Sequence, residues 1–558
     1  MAKPSRYTPE MAARYKLQGY WGPETPSGLW RQNAEKFPDR VAVVDSGTRL
    51  TWYEANQWID RLALGFIDLG IKKDELVVLQ LPNSVELCLL RVACERAGII
   101  CLPVLRTWRH HDLEYALART RAVGVVIPWV LREFDHFDMI QALRPRLPDL
   151  RHVFVIGDKI PDRAVSIKTM LASPREKDPP EGYPQKTECP PDEFSLVMPT
   201  TGTTGFPKFV EEPICSFMCR EKACVRNLKI TDQDVLGALT PTAGGSNSRV
   251  YHATLLAAAR MVMLEHFTPQ KALEVIDKEK ITLTPLVPAQ LVMMIRHPDF
   301  AAYDMGSLRF ILAMGAPLPF ELAMEIEAKM GCPIVQNYSG IDCSAACMGS
   351  IEDPPEVRFR AIGKPYAGAE VKLLDDDGKE VGRGDTGEIF LRGPGAVSGY
   401  FGDPEATRQA WTEDGWFRMG DLGRFDERGN LSIVGRKKDL IIRGGQNIYP
   451  VELENLLGTH PCVSQVAVVK MPDPVLGERA CAYVVVKENA AFSFEEMIRF
   501  LKDRGVAVFK LPERLEIVGA LPMVAEGQKV NKKQLEQDIK AKLDGLVKSP
   551  KKAFYEKF

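Results

Sequence analysis

The sequence predicts an α/β protein with a large N-terminal domain, built from two α/β layers and a small β-rich subdomain, and a small α+β domain after it. Three observations carry this reading. Helix-like and strand-like patterns alternate from residue 50 to about residue 331, as in layered folds with largely parallel sheets. From residue 363 to residue 425 the pattern turns to short strands punctuated by Gly and Asp, notably Asp375-Asp376-Asp377-Gly378 and Asp385-Thr386-Gly387. Beyond the polar Gly435-Arg436-Lys437-Lys438-Asp439, enough strands and an amphipathic helix follow for an independent domain of about 120 residues. The boundaries drawn are 1–437 and 438–558.

In chain order, Thr51 is placed to N-cap an amphipathic helix running through Ile67. Residues 75–81 read as a buried strand, and Pro82-Asn83-Ser84 turns into a second helix. Residues 174–191, rich in Pro, Lys and Glu, read as a surface connection. Phe194-Ser195-Leu196-Val197-Met198 is a strand. In the C-terminal part, strands are expected at 431–434, 440–442, 466–469, 482–486 and 515–518, with a helix near 494–501.

The bulk numbers exclude several classes. With 558 residues the chain is too long for one compact domain. Apolar content of 45% and charged content of 26% are those of a globular protein, and a formal charge of -2 gives no footprint for nucleic acid. Twelve cysteines occur without a CxxC pair, which favours reduced thiols over a disulfide framework or a zinc site. Residues 1–6 lead into no apolar run, so no signal peptide is expected, and the most apolar stretch, 253–264, is too short to span a bilayer. A cytoplasmic location follows as the expectation. His110 and His111 read as a helix-cap or surface pair, and His252 as a pocket or core residue.

The segment richest in chemistry is Thr200-Thr201-Gly202-Thr203-Thr204-Gly205-Phe206-Pro207-Lys208, directly after a strand. Glycines let backbone N–H groups approach an anion, threonines add hydroxyl donors, and Lys208 adds a point charge. No Gly-Lys-Ser/Thr unit closes it, so it is not a Walker A loop. Phosphate binding is the reading; a flexible surface loop is the alternative if the segment stood alone.

It does not stand alone. Gln336-Asn337-Tyr338-Ser339-Gly340-Ile341-Asp342, Gly415-Trp416-Phe417-Arg418-Met419-Gly420-Asp421, Gly435-Arg436-Lys437-Lys438-Asp439 and Gly527-Gln528-Lys529-Val530 follow in order. With this ordered set the chain resembles the adenylate-forming superfamily of acyl-CoA synthetases, aryl-acid adenylation enzymes and luciferases, over residues 50–535. The resemblance implies an acyl-adenylate made from a carboxylate and Mg-ATP, with loss of pyrophosphate, then transfer to coenzyme A. It implies ATP, Mg2+ and CoA as cofactors, no nucleic acid or integral membrane partner, and is compatible with a homodimer.

The resemblance also assigns roles. Thr200, Thr201, Gly202, Thr203, Thr204, Gly205 and Lys208 would hold the β- and γ-phosphates, with Thr203 and Asp342 toward magnesium. Asp342 stands where the family usually has glutamate, a shorter reach that suits a bridging water; a helix-capping role is the plainer alternative. Tyr338 matches the ring that stacks on adenine, beside Asn337; a buried strand tyrosine is the plainer alternative. Gly315, Ala316 and Pro317 match the loop along the nucleotide and the acyl pocket. Asp421 matches the ribose-binding acid and Arg436 the arginine near ribose and phosphate; alone, either reads as a surface charge. Lys529 matches the adenylation lysine, although Gln528 intervenes after the glycine and Lys532 and Lys533 remain rivals. Lys438 occupies the hinge of a mobile small domain, and Gly444 and Gly445 lie near the thiol tunnel. Phe209 departs from the glycine that many members have.

The N-terminal segment Arg14-Tyr15-Lys16-Leu17-Gln18-Gly19-Tyr20-Trp21 looks like that of dihydroxybenzoate-activating ligases. Where those carry a His-Asn pair and a serine for the ring substituents, this chain has Ala243, Gly244 and Gly245, then Val250, with Gly315 completing the expected pocket. A site without donors does not select a hydroxylated ring. The expected substrate is a small cyclic acid, alicyclic such as cyclohexene- or cyclohexanecarboxylate, or benzoate-like. The alternatives are an aryl-acid AMP ligase loading a carrier protein, a medium-chain fatty acid–CoA ligase, and a weakly active acyl-adenylate-binding protein.

Overall fold

A computed structural model describes residues 3–157, 160–200, 206–240, 245–316, 318–341, 344–524 and 529–547. The chain divides into two compact units: residues 1–315, 326–372 and 390–419 form the first, and residues 316–325, 373–389 and 420–558 the second.

Two sheets build the first unit. An eight-stranded sheet has at its centre the parallel strands Leu76–Leu79, Ile100–Pro103, Gly124–Pro128 and His152–Ile156, joined by Phe194–Pro199 beside Ile100–Pro103. A nine-stranded sheet is led by the parallel strands Arg260–Met263, Val235–Ala238, Leu283–Leu286, Phe310–Ala313 and Ile334–Gly340. The period of two explains how the eight-stranded sheet buries both faces. Val77 and Leu79 enter the largest apolar cluster, with helices Trp52–Asp68, Val85–Arg96 and Gly245–Ala257. Leu76 and Val78 enter a second cluster with helices His110–Thr120 and His136–Leu143. Doubly buried strands of this kind read as continuous apolar runs, which is why they were visible in the sequence.

Local signals act as expected. Thr51 and Glu54 form a reciprocal capping box, with hydrogen bonds of 3.2 and 2.9 Å. Ser84 caps Val85–Arg96. A four-stranded sheet, in the order Glu370–Leu374, Gly387–Arg392, Phe417–Phe425, Leu431–Arg436, is the β-rich segment.

In the second unit, strands Gly477–Val486 and Val463–Asp473 form a long antiparallel pair, flanked by Ile441–Arg443, Gln446–Ile448 and Arg514–Ile517. Here too alternate residues go to opposite faces. Ala480, Ala482 and Val484 pack with helices Pro450–Leu457 and Phe494–Asp503, while Cys481 and Tyr483 pack with Leu535 and Ile539 of helix Lys532–Val547. Among the described residues no helix is long and apolar enough to cross a membrane.

Candidate active site

Strand Phe194–Pro199 runs antiparallel to Phe209–Pro213, and the Thr/Gly loop joins them. Its stem is closed by two hydrogen bonds between its ends. The Thr200 N–H donates to the Lys208 carbonyl at 2.9 Å, and the Lys208 N–H donates to Thr200 Oγ1 at 3.0 Å. Thr201, Gly202, Thr203, Thr204 and Gly205 lie outside the described residues. Phe206, 49% exposed, stacks on Tyr115 at 4.0 Å and on His111 at 4.8 Å, so helix His110–Thr120 holds one flank of the loop. Lys208 Nζ lies 4.5 Å from the centroid of the Tyr400 ring, a cation–π contact. Register explains it: Gly399–Tyr400 pairs with the strand that follows the loop, Tyr400 opposite Val210. Phe209 is 2% exposed and belongs to the core cluster beneath this strand, so its side chain is a packing feature.

Strand Ile334–Gly340 carries the second group. Asn337 is buried and Tyr338 half-buried, at the end of the strand where the register with Ser344–Met348 shifts. The sequence did not reveal what holds Asn337. Tyr366 Oη donates to Asn337 Oδ1 at 2.6 Å, and Arg249 Nη1 donates to Tyr366 Oη at 3.0 Å. Asn337 Nδ2 in turn donates to Ser339 Oγ at 3.1 Å. Arg249 lies 3.6 Å from Glu221, and Arg220 pairs with Glu212 at 2.9 Å and Glu221 at 3.4 Å. Burial pushes the Tyr366 hydroxyl well up, so it stays a neutral donor. Burial opposes the charge on Arg249, but Glu221 and Tyr366 outweigh it and hold the guanidinium firmly protonated.

Gly315 follows Phe310–Ala313 with φ +85, and an added Cβ would lie 3.3 Å from Val287 Cγ1, so backbone geometry asks for glycine there. Ala316 is exposed. Pro317, Asp342, Ala243 and Gly244 lie outside the described residues. Gly245 opens helix Gly245–Ala257, and Val250 on that helix is 2% exposed within the main core. His252 is a core residue, stacked on Phe217 at 4.2 Å, and His111 is exposed at the start of its helix.

In the second unit, Asp421 and Arg436 stand opposite each other on paired strands, with Arg436 Nε 3.3 Å from Asp421 Oδ1. Arg436 is substantially exposed, so the pair contributes at most about 1 kcal/mol. Lys438 sits in the short 3-10 helix Lys437–Asp439. Lys437 is anchored on Glu388 and Asp376, both at 2.9 Å, and the Lys438 carbonyl accepts from Lys470 Nζ at 2.9 Å. Gly444 (φ +56) and Gly445 (φ +83) make the two-residue turn between Ile441–Arg443 and Gln446–Ile448, the twist-matched hairpin turn that needs positive φ at both positions. Lys529 begins a short ribbon, paired with Val524 across residues 525–528, which lie outside the described residues and include Gln528. Its rival Lys532 is committed to Glu454 at 2.6 Å.

Eleven described cysteines are unpaired and ten of them are buried. Burial pushes the Cys219 and Cys224 thiols up to about 11, which makes them poor nucleophiles. His460, Cys462 and Glu496 cluster closely enough to suggest a metal. However, His460 Nδ1 accepts the Cys462 N–H at 3.2 Å, so Nε2 carries the proton toward Glu496, 3.4 Å away, and has no lone pair for an ion.

A two-sheet α/β unit bearing a Thr/Gly loop between antiparallel strands, with a small α+β unit after it, is the architecture of the adenylate-forming ligases. The chain belongs to that family: the AMP-binding enzyme model matches residues 30–401, and the AMP-binding enzyme C-terminal domain model matches residues 452–528. It is 32% identical to the medium-chain fatty-acid–CoA ligase of Escherichia coli (strain K12), covering 96% of this chain and 94% of that protein. It is 30% identical to the 2,3-dihydroxybenzoate-AMP ligase of Bacillus subtilis (strain 168), covering 96% and 97%. The ATP-bound structure of MatB from Rhodopseudomonas palustris superposes with a TM-score of 0.81 at 27% identity, covering 93% and 99%. Acyl-CoA ligases of this family use ATP, Mg2+ and CoA.

Proposed function

We propose that this chain is an ATP-dependent acid–CoA ligase acting on a small cyclic carboxylic acid, alicyclic or benzoate-like. The observation that supports it best is the closed Thr200–Lys208 stem in a chain that matches both family models. In the first step a carboxylate oxygen attacks the α-phosphorus of ATP, and the bond to the β-phosphate oxygen breaks. In the second the thiol of CoA attacks the acyl carbonyl, and the bond to AMP breaks. The first step moves charge between oxygens, and the second from the thiol sulfur, which gives up its proton, to the phosphate oxygen of departing AMP, so positioning and electrostatics carry the catalysis and no protein nucleophile is needed.

In this reading the loop and Lys208 hold the leaving phosphates. Tyr338 and Asn337 bind the adenine end, and Asp421 with Arg436 takes the ribose, whose two hydroxyls suit a carboxylate with two acceptor oxygens. Lys529 supplies positive charge to the adenylation step, and rotation about Lys438 changes the unit between steps. Asp342 and Thr203 are both oxygen donors, the ligand class that magnesium takes, and the ion would neutralise phosphate charge. In this reading Gly245 and the apolar Val250 of helix Gly245–Ala257 leave the acyl pocket without the donors that would select a hydroxylated ring.

A second reading, a medium-chain fatty acid–CoA ligase, is favoured by the 32% identity to that enzyme. A panel of cyclic and straight-chain acids, assayed for pyrophosphate release with and without CoA, separates the two. Turnover confined to C6–C10 straight-chain acids would overturn the cyclic-acid reading, and release without acyl-CoA would point to a carrier-protein thiol.

A further inference from the structure

Away from the nucleotide-facing residues, a cavity of about 30 Å³ lies among helices Pro26–Lys36, Val85–Arg96 and Gly245–Ala257 and strand Phe194–Pro199, and every residue lining it is buried. Three polar atoms on its lining residues make no hydrogen bond to any described residue: Trp30 Nε1, Arg91 Nη1 and His252 Nδ1. Native interiors rarely leave such atoms bare, and a buried guanidinium without a counter-charge is the costliest of them.

The charges around it do not balance. Arg220 and Arg249 are matched by Glu212 and Glu221. Arg91 shares Glu212 with Arg220 as a more distant counter-charge, so three guanidiniums face two carboxylates; among the described residues its contacts are Ser248 Oγ at 3.3 Å and the face of Tyr251 at 4.5 Å. Glu95, one turn along the same helix, does not serve. Burial, with Glu188 nearby, pushes its carboxyl up to about 8, its Oε1 accepts the Ser27 N–H at 2.8 Å, and its Oε2 lies 3.5 Å from Ser195 Oγ. His252 adds no charge, because burial and then Arg91, Arg220 and Arg249 hold its ring neutral. In the tautomer with the proton on Nδ1 it is a third donor.

A surplus cation and three unpartnered nitrogens on residues that line a space of about one water volume call for an acceptor that carries negative charge. Carboxylates and phosphates are too large for it. We propose that this cavity is a halide site, in which chloride bridges Arg91, Trp30 and His252 as an internal counter-ion and ties together three helices of the first unit. A water molecule is the competing occupant; it would need acceptors for its own two protons and would leave the three arginines facing two carboxylates.

The test uses the full chain. Thermal unfolding is followed as chloride replaces gluconate at constant ionic strength, and crystals grown in bromide are measured at the bromine edge. Ligand linkage predicts a saturating rise in Tm of about 2–4 °C across the chloride series, and an anomalous peak beside Arg91 and His252. Arg91→Met should abolish the chloride response, with His252→Phe as the second variant should the first not fold. Coincident chloride and gluconate curves, cavity density without anomalous signal, or a variant that keeps the full chloride response would each overturn the proposal.

Discussion

Tyr366 is the residue through which the buried charges reach Asn337. Replacing it with Phe removes two hydrogen bonds and leaves Asn337 Oδ1 and Arg249 Nη1 without this partner, at a cost of about 1–3 kcal/mol in stability. If Asn337 binds the adenine end, Tyr366→Phe should raise the KM for ATP about fivefold to tenfold with a smaller change in kcat; an unchanged KM would remove Tyr366 from that role. Glu95 offers a prediction of a different kind. Its folded-state pKa of about 8 stands above the usual 4.5, so the native chain holds this proton more tightly than the unfolded one. Its contribution is fully present below about pH 4.5 and is lost as pH rises toward 8, by a few kcal/mol on the order-of-magnitude scale of 1.4 kcal/mol per unit. Glu95→Gln keeps an acceptor for Ser27 and should flatten this slope, so the variant should unfold later than the parent at pH 9 and show no advantage near pH 5. None of this was legible in the sequence. Arg249 and Tyr366 lie 117 positions apart, and the buried charges come from one strand and two helices, so no local pattern links them.

Elements were far more readable than their contacts. Strand Leu76–Leu79 and the long strand Gly477–Val486 announce themselves as apolar runs because both faces are covered. Thr51 was recognisable as a cap because its side-chain oxygen stands at the right offset from the next helix, whereas Ser84, read only as part of a turn, also proves to be one. Helix Lys532–Val547 escaped notice: its buried side holds little beyond Leu535, Ile539 and the half-buried Leu543, a thin stripe in a lysine-rich segment. That helix bears on the lysine assignment, since it holds the rival Lys532 in an ion pair with Glu454, while Lys533 stays a rival to Lys529. Lys529→Ala should slow acyl-adenylate formation about 100-fold or more, measured by pyrophosphate exchange, while thioester formation from supplied acyl-adenylate persists. Loss of neither half-reaction would send the role elsewhere. Phe209 shows the reverse case, where a departure from the family pattern is explained by packing against the neighbouring core.

At the scale of the molecule, the ordered motifs carried more than any one of them, because they report a chain path through two units rather than a single loop. What stayed out of reach was the acid, since pocket shape depends on how helix Gly245–Ala257 and the turn at Gly315 meet the strands. The sheets of the first unit have one more consequence. Their inner strands are rich in Val, Ile and Leu and would be adhesive if a neighbour could add to them. The sheets end instead in Gly399–Tyr400, Val165–Ser166, Lys364–Pro365 and Arg49–Thr51, rungs of two or three residues. Such stubs offer too few N–H and C=O groups to template an incoming strand, and Pro365 has no N–H to give. The architecture thus blunts edge-to-edge aggregation at both margins of each sheet, a safeguard for a crowded solution that has nothing to do with catalysis.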